Sequence, residues 1–222
     1  ATVCFYPEIG FQFGSIGDVM PDVQVRIDPE NSEILVKGKT VMSGYYNKPA
    51  ENEKAFTEDG YFRTGDAGRM EGNTLFFTER IKDLYKTSNG KYIAPQAIEM
   101  VMSGDQYIEQ IAVIGDQRKF VSALIVPAYS LLEKYAEEKG LAVGSREELV
   151  RNKEVLRLIE THIEENQKNL ASYEKIKRFT LLSEPFTMGS ELTDTLKLRR
   201  SVILKKYADS IEKMYEEASN PS

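Results

Sequence analysis

The character of this sequence changes near residue 84, and that change constrains the fold more than any other feature. Residues 14–82 are interrupted often by Gly and Pro and contain short stretches in which apolar and polar residues alternate. The stretch 23–27 (VQVRI) is one example, and this alternation is typical of strands with one buried face. Such short, closely spaced strands predict a small barrel or meander, and we place the first domain at residues 1–82.

Longer segments with helical and strand patterns follow from residue 83 to the end of the chain. Pro95 suits the first turn of a helix, and apolar residues recur at three- and four-residue steps from Asn152 to Tyr173, which predicts the longest helix. The other predicted elements are strands at 108–114, 120–126 and 178–183 and helices at 129–139 and 199–217. This mixture predicts an α+β domain at residues 83–222.

Composition narrows the classes of function. The 222 residues carry a formal net charge of -6, which argues against the broadly basic face of a general nucleic-acid binder. The single cysteine, Cys4, cannot form an internal disulfide and fits a reducing compartment. No apolar run approaches the roughly 18 residues of a membrane-spanning helix. We expect a cytoplasmic protein that does not bind nucleic acid; peripheral membrane contact and the oligomeric state stay open.

The first candidate ligand-binding residue is Asp66, the last residue of the segment YFRTGD. A Thr-Gly-Asp turn at a strand end presents a carboxylate whose two oxygens can accept hydrogen bonds from vicinal hydroxyls, such as those of a ribose. The alternative is an Asx-turn that only shapes the loop.

The basic segment 79–99, ERIKDLYKTSNGKYIAPQAIE, predicts either an anion site or a solvated loop. Arg80 and Lys82 share a face in extended backbone, and an arginine suits bidentate contact with phosphate or sugar oxygens; the alternative is solvated edge charges. Lys82 and Asp83 also lie at the change of texture, where polar residues commonly absorb a hinge rotation. The alternative there is an ordinary linker.

Two further loops could carry a ligand. Gly90, in Ser-Asn-Gly, can adopt positive φ and should expose backbone N–H groups along which a flexible ligand could run; the alternative is a hairpin turn. Lys197 lies among hydroxyls, just before two arginines that open a helix against its macrodipole. That opposition hints at function, and the alternative is a solvated face. His162, the single histidine, reads as a packing residue because it has no second histidine for a metal pair.

The order of the motifs resembles the C-terminal end of an adenylate-forming acyl-CoA synthetase. The motifs are SEILVKGKTVMSGYYNKP, YFRTGDAG, RIKDLYKTSNGKYIAPQAIE and TLKLRR. The central run and the segment YEKIKRFTLL resemble the AMP-forming long-chain fatty acid CoA ligase branch, and the resemblance covers essentially the whole chain. It implies the end of a distorted β-barrel subdomain of a large N-terminal domain, followed by a small α+β lid domain of the adenylate-forming superfamily that rotates between two reaction steps.

The resemblance also implies the chemistry. In this family a carboxylate attacks the α-phosphate of ATP, and the thiol of coenzyme A then displaces AMP from the acyl-adenylate. The implied ligands are therefore a fatty acid, ATP or AMP, coenzyme A and Mg²⁺. The phosphate loop, the magnesium contact and the acyl pocket would lie upstream of Ala1, so we expect a C-terminal fragment that has no metal site and is inactive alone. The alternatives are a relative that ligates another carboxylic acid or a carrier-protein acceptor, and a non-catalytic lid-like interaction module.

Site residues follow from the resemblance motif by motif. Asp66 would hold the ribose hydroxyls of ATP or AMP, and Arg80 would contact the ribose-phosphate side. Lys82 and Asp83 occupy the hinge position. Gly90 would line the pantetheine tunnel, and Lys197 matches the lysine that reaches the α-phosphate and the carboxylate oxygen during adenylation.

Four positions depart from the family pattern. Asp22 replaces the glycine common after proline, Ser32 the glycine common before the Glu-Ile pair, and Glu79 the aspartate common before the arginine. Leu196 stands where short-chain relatives have a glycine before the lysine, so the assignment of Lys197 depends on the long-chain pattern.

Overall fold

The computed structural model describes residues 3–8, 10 and 12–216. The chain forms two compact units, Ala1–Leu84 and Tyr85–Ser222. The boundary predicted after residue 82 lies close to this junction, and the assignment of the two units as functional domains stays a prediction.

The first unit is built on a six-stranded antiparallel sheet with the strand order β1-β2-β6-β5-β4-β3. Its elements are β1 (Cys4–Phe5), β2 (Gly17–Val19), β3 (Val23–Ile27), β4 (Glu33–Gly38), α1 (Pro49–Ala55), β5 (Phe62–Glu71) and β6 (Thr74–Arg80). The buried core residues are Val19, Val23, Ile34, Val36 and Leu75. Because β1 and β3 lie at the two edges, the sheet is open within the described residues and does not close into a barrel.

The second unit combines a three-stranded sheet with helices. Its elements are β7 (Tyr85–Lys86), β8 (Tyr92–Ile93), α2 (Pro95–Met102), β9 (Ile108–Ile114), β10 (Val121–Pro127), α3 (Tyr129–Glu138), α4 (Arg146–Leu149), α5 (Lys153–Asn166), β11 (Ile176–Leu181), α6 (Arg200–Lys206) and α7 (Ala208–Glu216). The central strand β10 pairs antiparallel with β9 and parallel with β11. All seven residues of β10 are buried, as expected for a strand covered on both faces. The predicted α+β class is confirmed.

Two helices differ from their predicted bounds by more than one residue or by a break. The predicted helix 152–173 ends at Asn166, because the buried Gln167 side chain turns to the backbone of Ile176, accepting from its N–H at 2.8 Å and donating to its carbonyl at 3.4 Å. The predicted helix 199–217 is divided into α6 and α7 at Tyr207, whose φ of -107° and ψ of 22° are not helical. Its predicted last residue lies outside the described residues.

Candidate functional site

Asp66 and Arg80 are brought together in the first unit. They are register partners on β5 and β6, and Arg80 Nη1 lies 2.9 Å from Asp66 Oδ1. This contact is an ion pair by distance only, since Oδ1 is buried and accepts no hydrogen bond from any described residue. A buried carboxylate oxygen without a donor is unfavourable, so Asp66 presents an acceptor that suits a hydroxyl of a ligand.

An irregularity in β5 places Asp66. Glu33 on β4 pairs with Ala67, whereas Leu35 pairs with Arg63, so β5 has extra residues between these two pairs. Gly65 takes a φ of +72° there, which a glycine adopts readily. Such bulges redirect side chains at the edge of a site.

The hydroxyl of Thr64 and the carboxylate of Glu33 stabilise this bulge through hydrogen bonds. Thr64 Oγ1 donates to the carbonyl of Ile34 at 2.7 Å and accepts from the N–H of Asp66 at 3.1 Å. Glu33 is 5% exposed and accepts from the N–H of Gly65 and from Arg63 Nη1, each at 3.0 Å. In the sequence, the Glu-Ile pair served only as a family marker, and the role of Glu33 was missed. The sequence shows a glutamate in a strand, but it does not show the residues to which that glutamate bonds.

Lys82 and Asp83 lie in a short 3₁₀ turn, Ile81–Asp83, at the end of the first unit. The N–H of Leu84 donates to the carbonyl of Ile81 at 3.3 Å. Lys82 is exposed and Asp83 is half-buried. The hinge role of this pair stays a prediction.

Gly90 ends the tight turn of the β7–β8 hairpin. Its φ is +78°, and its N–H donates to the carbonyl of Thr87 at 2.9 Å. The N–H of Ser88 donates to the carbonyl of Arg118 at 2.9 Å. The expectation that the turn leaves its backbone N–H groups free is therefore wrong for Ser88 and Gly90, because the turn and a neighbouring loop use both. The role of Gly90 beside coenzyme A stays a prediction.

Lys197 lies in an exposed turn before α6. The N–H of Thr193 donates to the carbonyl of Lys197 at 2.9 Å, and Thr193 Oγ1 accepts from the N–H of Lys197 at 3.1 Å. Leu196 completes the turn with a φ of +59°. Among the residues that the structure describes, no hydrogen-bonding or ion-pair partner is seen for the Lys197 ammonium, whereas Arg200 pairs with Glu99 at 2.8 and 2.9 Å.

The remaining candidates are structural. His162 Nδ1 lies 2.7 Å from Asp105 Oδ2, and its ring meets that of Tyr107 edge-on at 4.8 Å, as expected for a packing residue. Burial and then the nearby Asp18 raise the pKa of the Cys4 thiol, which suits an unreactive cysteine. The described residues contain no cluster of three or more potential metal ligands, and none of their helices is both long and apolar enough to span a membrane.

A family model described as "AMP-binding enzyme C-terminal domain" matches residues 82–219. The chain belongs to this family. The resemblance to adenylate-forming enzymes is thereby confirmed, and the matched residues comprise nearly all of the second unit.

Two relatives of this chain are named long-chain fatty acid CoA ligases. It is 32% identical over 207 residues to FadD15 of Mycobacterium tuberculosis, a match that covers 92% of this chain and 34% of FadD15. It is 35% identical over 189 residues to long-chain-fatty-acid–CoA ligase 5 of Mus musculus, covering 83% of this chain and 28% of that protein. The chain thus spans about a third of the length of these relatives.

Solved structures of adenylate-forming domains share the fold. The adenylation domain of a carboxylate reductase from Mycobacterium chelonae matches with a TM-score of 0.60 and 26% identity, over 93% of this chain and 32% of that one. A didomain of carboxylic acid reductase from Segniliparus rugosus in complex with AMP matches with a TM-score of 0.60 and 25% identity, over 89% and 28%.

Proposed function

We propose that the protein containing this chain is an AMP-forming long-chain fatty acid:CoA ligase. Its relatives at 32% and 35% identity bear that name. The observation that carries the proposal is the buried Asp66 Oδ1, which has no hydrogen-bond donor and lies 2.9 Å from Arg80 Nη1. An acceptor beside a cation fits a ribose hydroxyl that lies near a phosphate.

The reaction has two steps. The fatty acid carboxylate attacks the α-phosphate of ATP, giving an acyl-adenylate and pyrophosphate, and the thiol of coenzyme A then displaces AMP to form the thioester. In both steps Asp66 accepts a hydrogen bond from the ribose, and Arg80, exposed for much of its length, contacts the ribose-phosphate side. Mg²⁺ would be held outside this chain, and the chain alone is expected to be inactive.

Lys197 acts in the first step. Its exposed ammonium, which no described residue pairs, is free to approach the α-phosphate and the attacking carboxylate oxygen. A compact positive charge there stabilises the negative charge that builds on the pentavalent phosphorus. In the second step the turn at Gly90 borders the pantetheine of coenzyme A. Lys82 and Asp83 form the hinge about which the lid domain rotates between the two reaction steps.

The nucleotide role of Asp66 is tested with Asp66→Asn in the full-length protein. We expect the KM for ATP to rise about tenfold, because one charged acceptor of a buried hydrogen bond is lost. Asp59→Asn is the matched control, since Asp59 forms an exposed ion pair with Arg26 in the same unit. An unchanged KM for ATP in Asp66→Asn would reject the proposed site.

The role of Lys197 is tested by separating the half-reactions. Lys197→Ala should lower fatty-acid-dependent pyrophosphate release about 100-fold and spare thioester formation from supplied acyl-adenylate. Lys134→Ala, at another exposed lysine of the second unit, should leave both steps unchanged. Equal loss of both steps in Lys197→Ala would contradict the assignment.

A second candidate is a ligase for another acid or for a carrier-protein acceptor. It is favoured by the likeness to carboxylate reductase domains, at 26% and 25% identity. Pyrophosphate release measured across long-chain, short-chain and aromatic acids, followed by transfer to coenzyme A or to a carrier protein, separates the two. Preference for aromatic acids or for the carrier protein would favour this second candidate.

A further inference from the structure

The loop that carries Lys197 contains a buried carboxylate, that of Glu191, which has no direct part in the proposed reaction. Glu191 is 0% exposed. Its Oε2 accepts from the N–H and the hydroxyl of Thr187 at 3.2 and 3.3 Å. Its Oε1 accepts from the hydroxyl of Tyr207 at 3.2 Å and from the ammonium of Lys206. A fully buried glutamate is rare unless it is paired in this way.

These contacts join the loop to the end of α6. Thr187 lies within the loop 182–199 that joins β11 to α6, whereas Lys206 is the last residue of α6 and Tyr207 lies at the break before α7. Burial acts to raise the pKa of Glu191, but the hydrogen bonds, led by that from Lys206, lower it to about 2. The carboxylate is therefore ionised at neutral pH and holds Lys206 as an ion pair.

Hydrogen bonds to backbone carbonyls connect Glu191 and its neighbours to Arg199, on the other side of the turn that carries Lys197. The carbonyl of Glu191 accepts from the N–H of Arg199 at 2.7 Å. Arg199 Nη1 donates to the carbonyls of Gly189 and Ser190 at 3.0 and 3.2 Å. The turn Thr193–Lys197 therefore projects from a base whose two sides are fixed to each other, while its tip is exposed.

We propose that Glu191 is a positioning residue for Lys197: its buried carboxylate fixes the base of the loop whose tip presents the Lys197 ammonium. This inference depends on the proposed role of Lys197 in adenylation. A lysine at the end of a flexible stem reaches its target reproducibly only where its backbone is held, and a displacement of about 1 Å can lower a rate about 100-fold.

The first test is Glu191→Gln in the full-length protein, which keeps the side-chain shape and removes the charge. We expect acid-dependent pyrophosphate release to fall about 10- to 100-fold, while thioester formation from supplied acyl-adenylate changes less than about twofold. Glu212→Gln is the matched control, because it removes an exposed ion pair with Arg118 in the same unit, and it should change neither step.

A double variant separates positioning from a general effect on the fold. In the Lys197→Ala background, Glu191→Gln should cause no further loss of adenylation, because the side chain through which Glu191 acts is gone. A further tenfold loss would show that Glu191 acts independently of Lys197 and would overturn the proposal.

A milder variant covers the case in which Glu191→Gln does not fold. Tyr207→Phe removes one hydrogen bond to Glu191 and keeps the ring that faces Phe186 at 6.0 Å. This variant should lower the rate of adenylation less than Glu191→Gln does, and it should likewise spare thioester formation. If whichever of Glu191→Gln and Tyr207→Phe folds adenylates normally while Lys197→Ala does not, the positioning role of Glu191 is rejected and the proposed function stands. Normal adenylation in Lys197→Ala rejects the proposed function itself.

Discussion

Ser32 and Leu196 hold their backbone in the left-handed region, with φ of 60° and 59°. Glycine adopts this region without steric cost, whereas a residue with a Cβ does not. Both are positions where the sequence departs from a glycine common in the family or in its short-chain relatives. The structure explains why a glycine suits these two turns, which lie beside Glu33 and Lys197.

Replacing Leu196 with glycine should stabilise the chain slightly. Left-handed backbone at a leucine costs about 1–2 kcal/mol, and glycine loses about 0.5–1 kcal/mol more conformational entropy on folding. Leu196 is 65% exposed, so little burial is lost. We expect the free energy of unfolding to rise by about 0.5 kcal/mol, measured by urea denaturation.

The control for this change is Leu131→Gly. Leu131 is also partly exposed, at 38%, but lies inside α3, where the backbone is helical. Glycine there should lower the free energy of unfolding by about 1 kcal/mol. Equal losses in the two variants would show that Leu196 is not strained.

Removing the Glu33 carboxylate should disturb the Thr-Gly-Asp bulge. Glu33→Ala leaves the N–H of Gly65 and the guanidinium of Arg63 without their acceptor, and a buried hydrogen bond to a charged group contributes about 1.5–3 kcal/mol. We expect the free energy of unfolding to fall by about 2 kcal/mol and AMP binding to weaken, measured by urea denaturation and calorimetry. Glu30→Ala, at an exposed position nearby, should change neither, and the prediction fails if the two variants behave alike.

At the scale of elements, the loop before α6 is bound to the last residue of that helix through the contact of Glu191 with Lys206. The folded-state pKa of Glu191, about 2, lies below its usual value of 4.5. The carboxylate therefore contributes stability that is fully present above pH 4.5 and is lost as the pH falls toward 2. We therefore expect protonation of Glu191 to destabilise this loop in acid.

Glu191→Gln should flatten the acid limb of the stability curve. At pH 7 the variant is expected to be less stable by about 2 kcal/mol, because a charged acceptor of several hydrogen bonds is lost. Between pH 4.5 and pH 2 its free energy of unfolding should change less than that of the parent. Parallel curves for parent and variant over this interval, obtained by urea denaturation, would contradict the pKa of Glu191.

At the scale of the whole molecule, each compact unit has its own core. The five buried residues of the first core are contributed by β2, β3, β4 and β6. The larger core extends from Ile93 to Met214 and joins the three-stranded sheet to residues of α2, α3, α5, α6 and α7. Separate cores predict separate folding.

Residues 85–222 expressed alone should therefore fold cooperatively. Ile159, which is 0% exposed, provides the internal check: Ile159→Ala should lower the free energy of unfolding by about 3 kcal/mol equally in this segment and in the whole chain. Leu75→Ala, in the first core, should leave the unfolding of the second unit unchanged. A non-cooperative thermal transition in the isolated segment would refute the independence of the two units.

The sequence by itself determined the α+β class, the change of architecture near residue 84 and the family, because periodicity and motif order are local properties of a chain. It also singled out Asp66, Arg80 and Lys197. The ends of the helices were harder to predict. Gln167 ends α5 through hydrogen bonds with the backbone of Ile176, and the periodicity of apolar residues carries no information about these bonds.

Only the tertiary structure decided how the candidate residues are held. The register shift that sets Asp66 beside Arg80 arises from pairing between strands, and Glu33 belongs to a strand remote in sequence from the turn that it supports. Likewise the contact of Glu191 with Lys206 joins the loop to the far end of α6, 15 residues along the chain. For Glu33 and Glu191 the physical reason is the same: a buried carboxylate needs hydrogen-bond donors, and those donors come from residues that only the folded chain brings close.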